Sequence, residues 1–166
     1  LSPENLNQPF QVTNKSTQAT PLMLAIEIGN KSVIDFLLTQ GADINLITPT
    51  GSHSLESAIN SASPDILPFV LSKMELTDQL LVRSLEKVIR SRNYKKPRKI
   101  EITEHILTKL QDINILDDEG KTLLYCAEQA NQSELIDLLK SHGAQSSRKI
   151  SLAPVTAAAA TPAIET

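Results

Sequence analysis

Tryptophan is absent from this 166-residue chain, and aromatic residues make up 3% of it. A core without large rings must be assembled from Leu, Ile, Val and Ala, which suits stacked helices. The one cysteine, Cys126, excludes an internal disulfide framework and a Cys-rich zinc site, and it fits a reducing, intracellular setting. Five glycines, each isolated, leave no Gly-rich phosphate loop. No run of about 18 apolar residues is present, so the sequence offers no membrane-spanning helix. No charged-then-apolar leader follows Leu1, and a chain that starts with Leu reads as a piece of a longer protein.

Hydrophobic residues reach 40% and charged residues 21%, enough for one folded domain with tails. The formal charge is −3, from 16 Lys and Arg against 19 Asp and Glu. Six of the basic residues fall between Arg90 and Lys99, a stretch with no carboxylate. The remainder, 10 basic against 19 acidic residues, carries −9. A near-neutral total therefore hides an acidic body with one basic knot.

The chain also repeats itself. Shifting residues 20–45 by 33 places Leu22 on Leu55, Ala25 on Ala58, Val33 on Ile66, and Leu38 on Leu71. A shift of 102 places Thr20 on Thr122, Leu22 on Leu124, Ala25 on Ala127, and Gly41-Ala42 on Gly143-Ala144. A shift of 69 matches only the second half, with Val33 on Ile102 and Asp43-Ile44-Asn45 on Asp112-Ile113-Asn114. Within one copy, Thr20 and Pro21 start a helix, since Thr accepts from an unpaired N–H and Pro suits the first helical position. Leu22, Ala25 and Ile26 recur at helical spacing. Gly29 stops that helix, and Asn131 replaces it in the last copy. A second helix is expected to bury Val33, Ile34, Leu37 and Leu38, and Gly41 ends it. Asp43 to Gly51 then forms a projecting finger. Such a pair cannot bury its own apolar face, so copies must stack.

The period, the TPLMLA stretch at 20–25, Gly29, VIDFLL at 33–38 and GADIN at 41–45 together resemble the ankyrin repeat family. The resemblance implies an all-α solenoid of helix-turn-helix pairs with short β-hairpin fingers. Four copies are expected within residues 15–145, approximately at 15–47, 48–75, 76–116 and 117–145. Residues 1–14 read as a lead-in or the remnant of an upstream repeat. Residues 146–166 read as an Ala/Thr/Pro-rich flexible tail or linker.

Departures from the period are informative. Leu55 to Leu81 spans 26 residues, seven short of a period, so a finger is expected after copies one and three and none after copy two. Leu81 to Ile102 spans 21 residues where Leu22 to Val33 spans 11, an insertion of ten that contains the basic knot and reads as an enlarged loop. Lys140 stands where other copies have Leu, which suits a polar C-terminal cap.

Chemistry is scarce. His53, His105 and His142 occupy non-equivalent positions with no ligand spacing, so neither a metal nor a cofactor is expected. Cys126 aligns with Leu24 and reads as a small core hydrophobe. Asp117-Asp118-Glu119-Gly120 lacks the later bidentate Glu of a calcium loop. No catalytic constellation is present in the chain; any activity would belong to another domain of the parent protein.

The resemblance implies a protein-recognition module, an adaptor or scaffold within a larger intracellular protein, expected as a monomer. Degenerate arrays rich in Ile, Lys and Asn are also similar to those of bacterial effectors acting inside host cells. In this family partners lie on the concave face. Carried over, the finger positions are Pro49, Thr50, Ser52, Asp118, Glu119 and Lys121. The first-helix positions include Asn60, Ser61, Glu86, Lys87 and Gln129. The family's His after TPL is replaced by Met23, Glu56 and Tyr125, which removes a usual polar link between repeats. The basic stretch, Arg90, Arg92, Lys95, Lys96, Arg98 and Lys99, has an alternative reading as a contact for an acidic partner, phosphoinositide headgroups or nucleic acid, or as a nuclear-import signal. Its plainer reading is a solvated insertion.

Overall fold

A computed structural model describes residues 3–12 and 17–147. The tail expected at 146–166 lies, from residue 148 onward, outside the described residues.

The order of elements follows the repeat. A short lead-in holds helix α1 (Pro3–Leu6) and strands β1 (Phe10–Gln11) and β2 (Gln18–Ala19), which pair antiparallel with Phe10 opposite Ala19. Four helix pairs follow: α2 (Pro21–Ile28) with α3 (Lys31–Thr39), α4 (Ser54–Asn60) with α5 (Ile66–Lys73), α6 (Asp78–Arg90) with α7 (Lys96–Leu107), and α8 (Leu123–Gln129) with α9 (Ser133–Ser141). The first helices α2 and α4 pack on each other, as do α6 and α8, while α5 packs on α7 and α7 on α9. One core runs through the stack, from Leu6 through Leu22, Leu55 and Leu81 to Leu139.

Local signals set the helix ends. Thr20, Thr77 and Thr122 cap α2, α6 and α8 by accepting from Met23, Leu80 and Tyr125 N–H at 3.3, 3.3 and 3.4 Å. Asn30 does the same for α3 and His53, through Nδ1, for α4. Gly29 takes a left-handed φ of 83°, and Asn131, its counterpart in the last copy, takes 55°. Copy one departs from the template: Ile34 and Leu37 are buried, but Val33 is 42% exposed and Phe36 54%. The equivalents Ile66, Ile102 and Leu135 are buried, the last two on helices that pack against the preceding second helix. Among the described residues no second helix precedes α3.

Fingers follow α3 and α7. Each closes on a β-turn: Thr48 N–H donates to Ser52 O at 2.9 Å, and Asp117 N–H to Lys121 O at 2.8 Å. The buried Thr48 Oγ1 and Asp117 Oδ1 accept from Ser52 and Lys121 N–H. After α5 the chain reaches α6 through four residues, Met74 to Thr77, with no finger.

A second series of bonds joins segments about one repeat apart. Asn7 Oδ1 accepts from Asp43 N–H at 2.7 Å, and Asn45 Oδ1 from Glu75 N–H at 2.8 Å. Asp78 accepts from Gln111 and Asp112 N–H at 3.1 and 3.0 Å, and Asn114 Oδ1 from Gln145 N–H at 2.7 Å. Each polar side chain satisfies backbone groups roughly one repeat downstream, which fixes the register of the stack.

Candidate functional site

Two hollows open on the side of the first helices. The smaller, about 280 Å³, lies between α4 and α6, with His53, Glu56, Asn60, Lys87 and Tyr94 in its walls. Lys87 Nζ stands 3.3 Å from Glu56 Oε1 across it, and the Tyr94 hydroxyl donates to Asn60 Oδ1. Glu56, at a position where the family's His is missing, thus still contributes a polar link between copies. The larger is a cleft of about 890 Å³ over α6 and α8, walled by the 91–95 connection and the start of α9. Its walls include Arg90, Arg92, Lys96, Lys99 and Lys121, with Tyr94, Tyr125 and Gln129.

The cleft exists because helix lengths differ. α6 has 13 residues and α7 has 12, against 7 and 9 for α8 and α9. The third pair therefore overhangs its neighbour. This corrects the reading of residues 90–99 as one enlarged loop. Arg90 belongs to α6 and Lys96 to Lys99 form the first turn of α7, so only 91–95 is connection. The added residues lengthen two helices, since Leu85, Val88, Ile89 and Ile102 continue the apolar spacing into the core.

The six cations have different surroundings. Lys99 is 7% exposed; its Nζ donates to the Ile89 carbonyl at 2.9 Å, at the C-terminal end of α6. Burial holds its pKa below the usual lysine value. Arg98 is half-buried and bonds Glu101 at 2.8 Å and the Ser61 carbonyl at 3.0 Å, so it braces copy three on copy two. Arg90 pairs with Glu86 at 2.8 Å and Glu119 at 3.6 Å. Arg92, Lys95 and Lys96 are exposed, and among the described residues no carboxylate pairs with them. Lys95 lies outside the cleft walls. The basic stretch is therefore half structural and half free.

The first-helix and finger positions also divide. Asn60, Lys87, Gln129, Pro49, Thr50, Asp118 and Glu119 are exposed, and Ser52, Glu86 and Lys121 are half-exposed. Ser61 is 2% exposed, which removes it from any contact surface; its Oγ accepts from Ser63 N–H and its carbonyl holds Arg98. Lys121 pairs with Glu119, which raises the lysine pKa and lowers that of the carboxylate. The structure brings Lys121 and Gln129 into one cleft with Arg92 and Lys96, a union that linear spacing did not reveal.

Beneath the cleft lies a polar cluster. Donor atoms of Glu86, Asp117 and Cys126 lie within 4.8 Å of one another. The Arg90 guanidinium enters this cluster, 2.8 Å from Glu86 Oε1 and 3.9 Å from Cys126 Sγ, and supplies its positive charge. Burial raises the pKa of Glu86 and of the Cys126 thiol. The thiol, 4% exposed, sits in the core, whereas Leu24 at the aligned position is half-exposed.

Residues 17–49, from the start of β2 to the first finger, match the ankyrin repeat family model. A curated relative, described as an ankyrin repeat protein of Fowlpox virus (strain NVSL), is 32% identical over 141 residues, 80% of this chain. The chain belongs to the ankyrin repeat family. It spans 40% of the length of that relative. Ankyrin repeats generally mediate protein–protein interaction, and the family is generally non-catalytic. Among the described residues no helix is long and apolar enough to cross a membrane.

Proposed function

We propose that this ankyrin array is a non-catalytic recognition domain of a larger protein acting inside a cell, and that it holds its partner protein on the side of the first helices. The observation that carries this reading is the pair of hollows on that side, the larger of about 890 Å³, with exposed Asn60, Lys87 and Gln129 in their walls. A stacked array holds such walls rigidly, because the Asn7, Asn45, Asp78 and Asn114 bonds and the continuous core hold segments one repeat apart against each other, so little ordering entropy opposes binding. The finger residues Pro49, Thr50, Asp118 and Glu119 extend the same surface. The domain acts as a monomer in this reading. A role as a bacterial effector in a host cell rests on the composition of the array, rich in Ile, Lys and Asn.

The test is site-specific photo-crosslinking in cell extract. A photoreactive residue at Asn60 or Gln129 is expected to capture a partner, and one at Ser72 or Glu104 on the second helices is not. Capture only from Ser72 and Glu104 would sink the proposal.

A further inference from the structure

We propose that the cleft over α6 and α8 receives an acidic peptide segment of the partner, one that carries an apolar side chain next to its carboxylates. This deepens the recognition reading and rests on it. Three observations converge. The first is charge. Arg92 and Lys96 face the cleft exposed, with no carboxylate partner among the described residues, and Lys99 beneath them donates to a carbonyl.

The second is the start of α7. Lys95 and Lys96 open this 12-residue helix, followed by Pro97, Arg98 and Lys99. Its N-cap makes no side-chain bond, and its first turn holds no acidic residue. The positive pole of a helix favours anions, so cations there oppose its dipole. The second helices α5 and α9 likewise lack a side-chain cap bond, so what is particular to α7 is the run of cations in its first turn. A carboxylate bound beside Lys96 would relieve that conflict.

The third observation is the wall. Half-exposed Ile100 and Ala130 line the same cleft with Tyr94 and Tyr125, above the buried Ile89 and Leu135. Glu134 is a wall residue as well, and Glu86 and Glu119 already engage Arg90 and Lys121. The charge surplus is therefore small and local. Elsewhere the chain carries −9. A nucleic acid or an anionic membrane presents charge over a wide area and would meet that acidic body. A short peptide with one or two carboxylates meets only the cleft, and its apolar side chain covers the apolar wall.

A selection from a random peptide library on the immobilised chain tests this. Enrichment of peptides with Asp or Glu beside Leu, Ile or Phe is expected. Fluorescence anisotropy of an enriched peptide should show at least about fivefold weaker binding to the R92S/K96S double variant, and weaker binding at high salt. Both substituted side chains are exposed and have no ion-pair partner among the described residues, so the fold should persist, which circular dichroism checks. Peptides enriched without acidic bias, or an acidic bias that survives in R92S/K96S, would overturn the acidic-segment proposal and leave the recognition reading standing. Tighter binding of a short single-stranded DNA or of phosphatidylserine vesicles would overturn it in favour of those ligands. No enrichment of any peptide would count against the recognition surface itself.

Discussion

Gly29 and Gly143 share a backbone conformation and differ in surroundings, so one substitution separates conformational strain from stacking. Their φ angles are 83° and 82°. An alanine at either position costs about 1 kcal/mol for entering the left-handed region. A Cβ at position 143 meets no heavy atom within 4 Å. A Cβ at position 29 would stand 2.3 Å from Ser63 Oγ and 2.9 Å from Ser63 Cβ, on the next copy. Such overlap adds about 1–3 kcal/mol. Gly29→Ala is thus expected to cost about 2–4 kcal/mol and Gly143→Ala about 1. Urea unfolding followed by circular dichroism reads the difference, provided the slope is unchanged. Ser63→Gly removes the offending atoms, so the Gly29→Ala/Ser63→Gly double variant should show a favourable coupling of about 1 kcal/mol or more. A Gly29→Ala cost equal to that of Gly143→Ala, or no rescue by Ser63→Gly, would refute the close approach of copies one and two.

Further outcomes can be checked. Asp78→Ala leaves the Gln111 and Asp112 N–H groups unpaired and should cost about 1–2 kcal/mol in urea unfolding, whereas a value near zero would mean water replaces the carboxylate. Burial lowers the pKa of His53, and its Nδ1 caps α4 only when neutral. Above pH 6.5 it contributes no pH dependence; as pH falls below 6.5 the unfolded chain takes the proton first and stability drops, until pH passes the lowered folded value. His53→Asn should keep the cap and remove that part of the acid sensitivity. Glu86 has its pKa raised by burial, so its ionisation opposes folding above the ordinary carboxylate range. Glu86→Gln should flatten the corresponding fall in stability with rising pH, and an unchanged profile would count against this. Cys126 should react with a thiol reagent only when the chain opens, whereas an immediate stoichiometric reaction would contradict its burial.

Much of this fold was legible because its signals are local. A threonine that caps a helix, a glycine with positive φ, and apolar residues at helical spacing act within a few residues of themselves, so Thr20, Thr122, Gly29, Asn131 and Gly143 read correctly without neighbours. The Asn and Asp bonds between copies were half visible: Asn45 and Asn114 sit in the repeated DIN stretch, but Asn7 and Asp78 lie outside it. Burial was less legible. Val33 matches three buried residues and yet stands exposed, because burial depends on the neighbouring copy and not on the residue.

The sequence by itself determined the repeat, the helix pairs, the two fingers and the unequal distribution of charge. It could not determine where that charge would point. Whether residues 90–99 are loop or helix depends on how far α6 and α7 can bury apolar side chains against their neighbours, which is a property of the stack. The cleft joins residues 89–100 to 121–135 across a boundary between copies, and its space is the length by which one helix pair overhangs the next. The tertiary structure therefore decided which basic residues brace the array and which stand free to meet a ligand. Lys99 and Arg98 found a carbonyl or carboxylate within reach; among the described residues Arg92 and Lys96 did not.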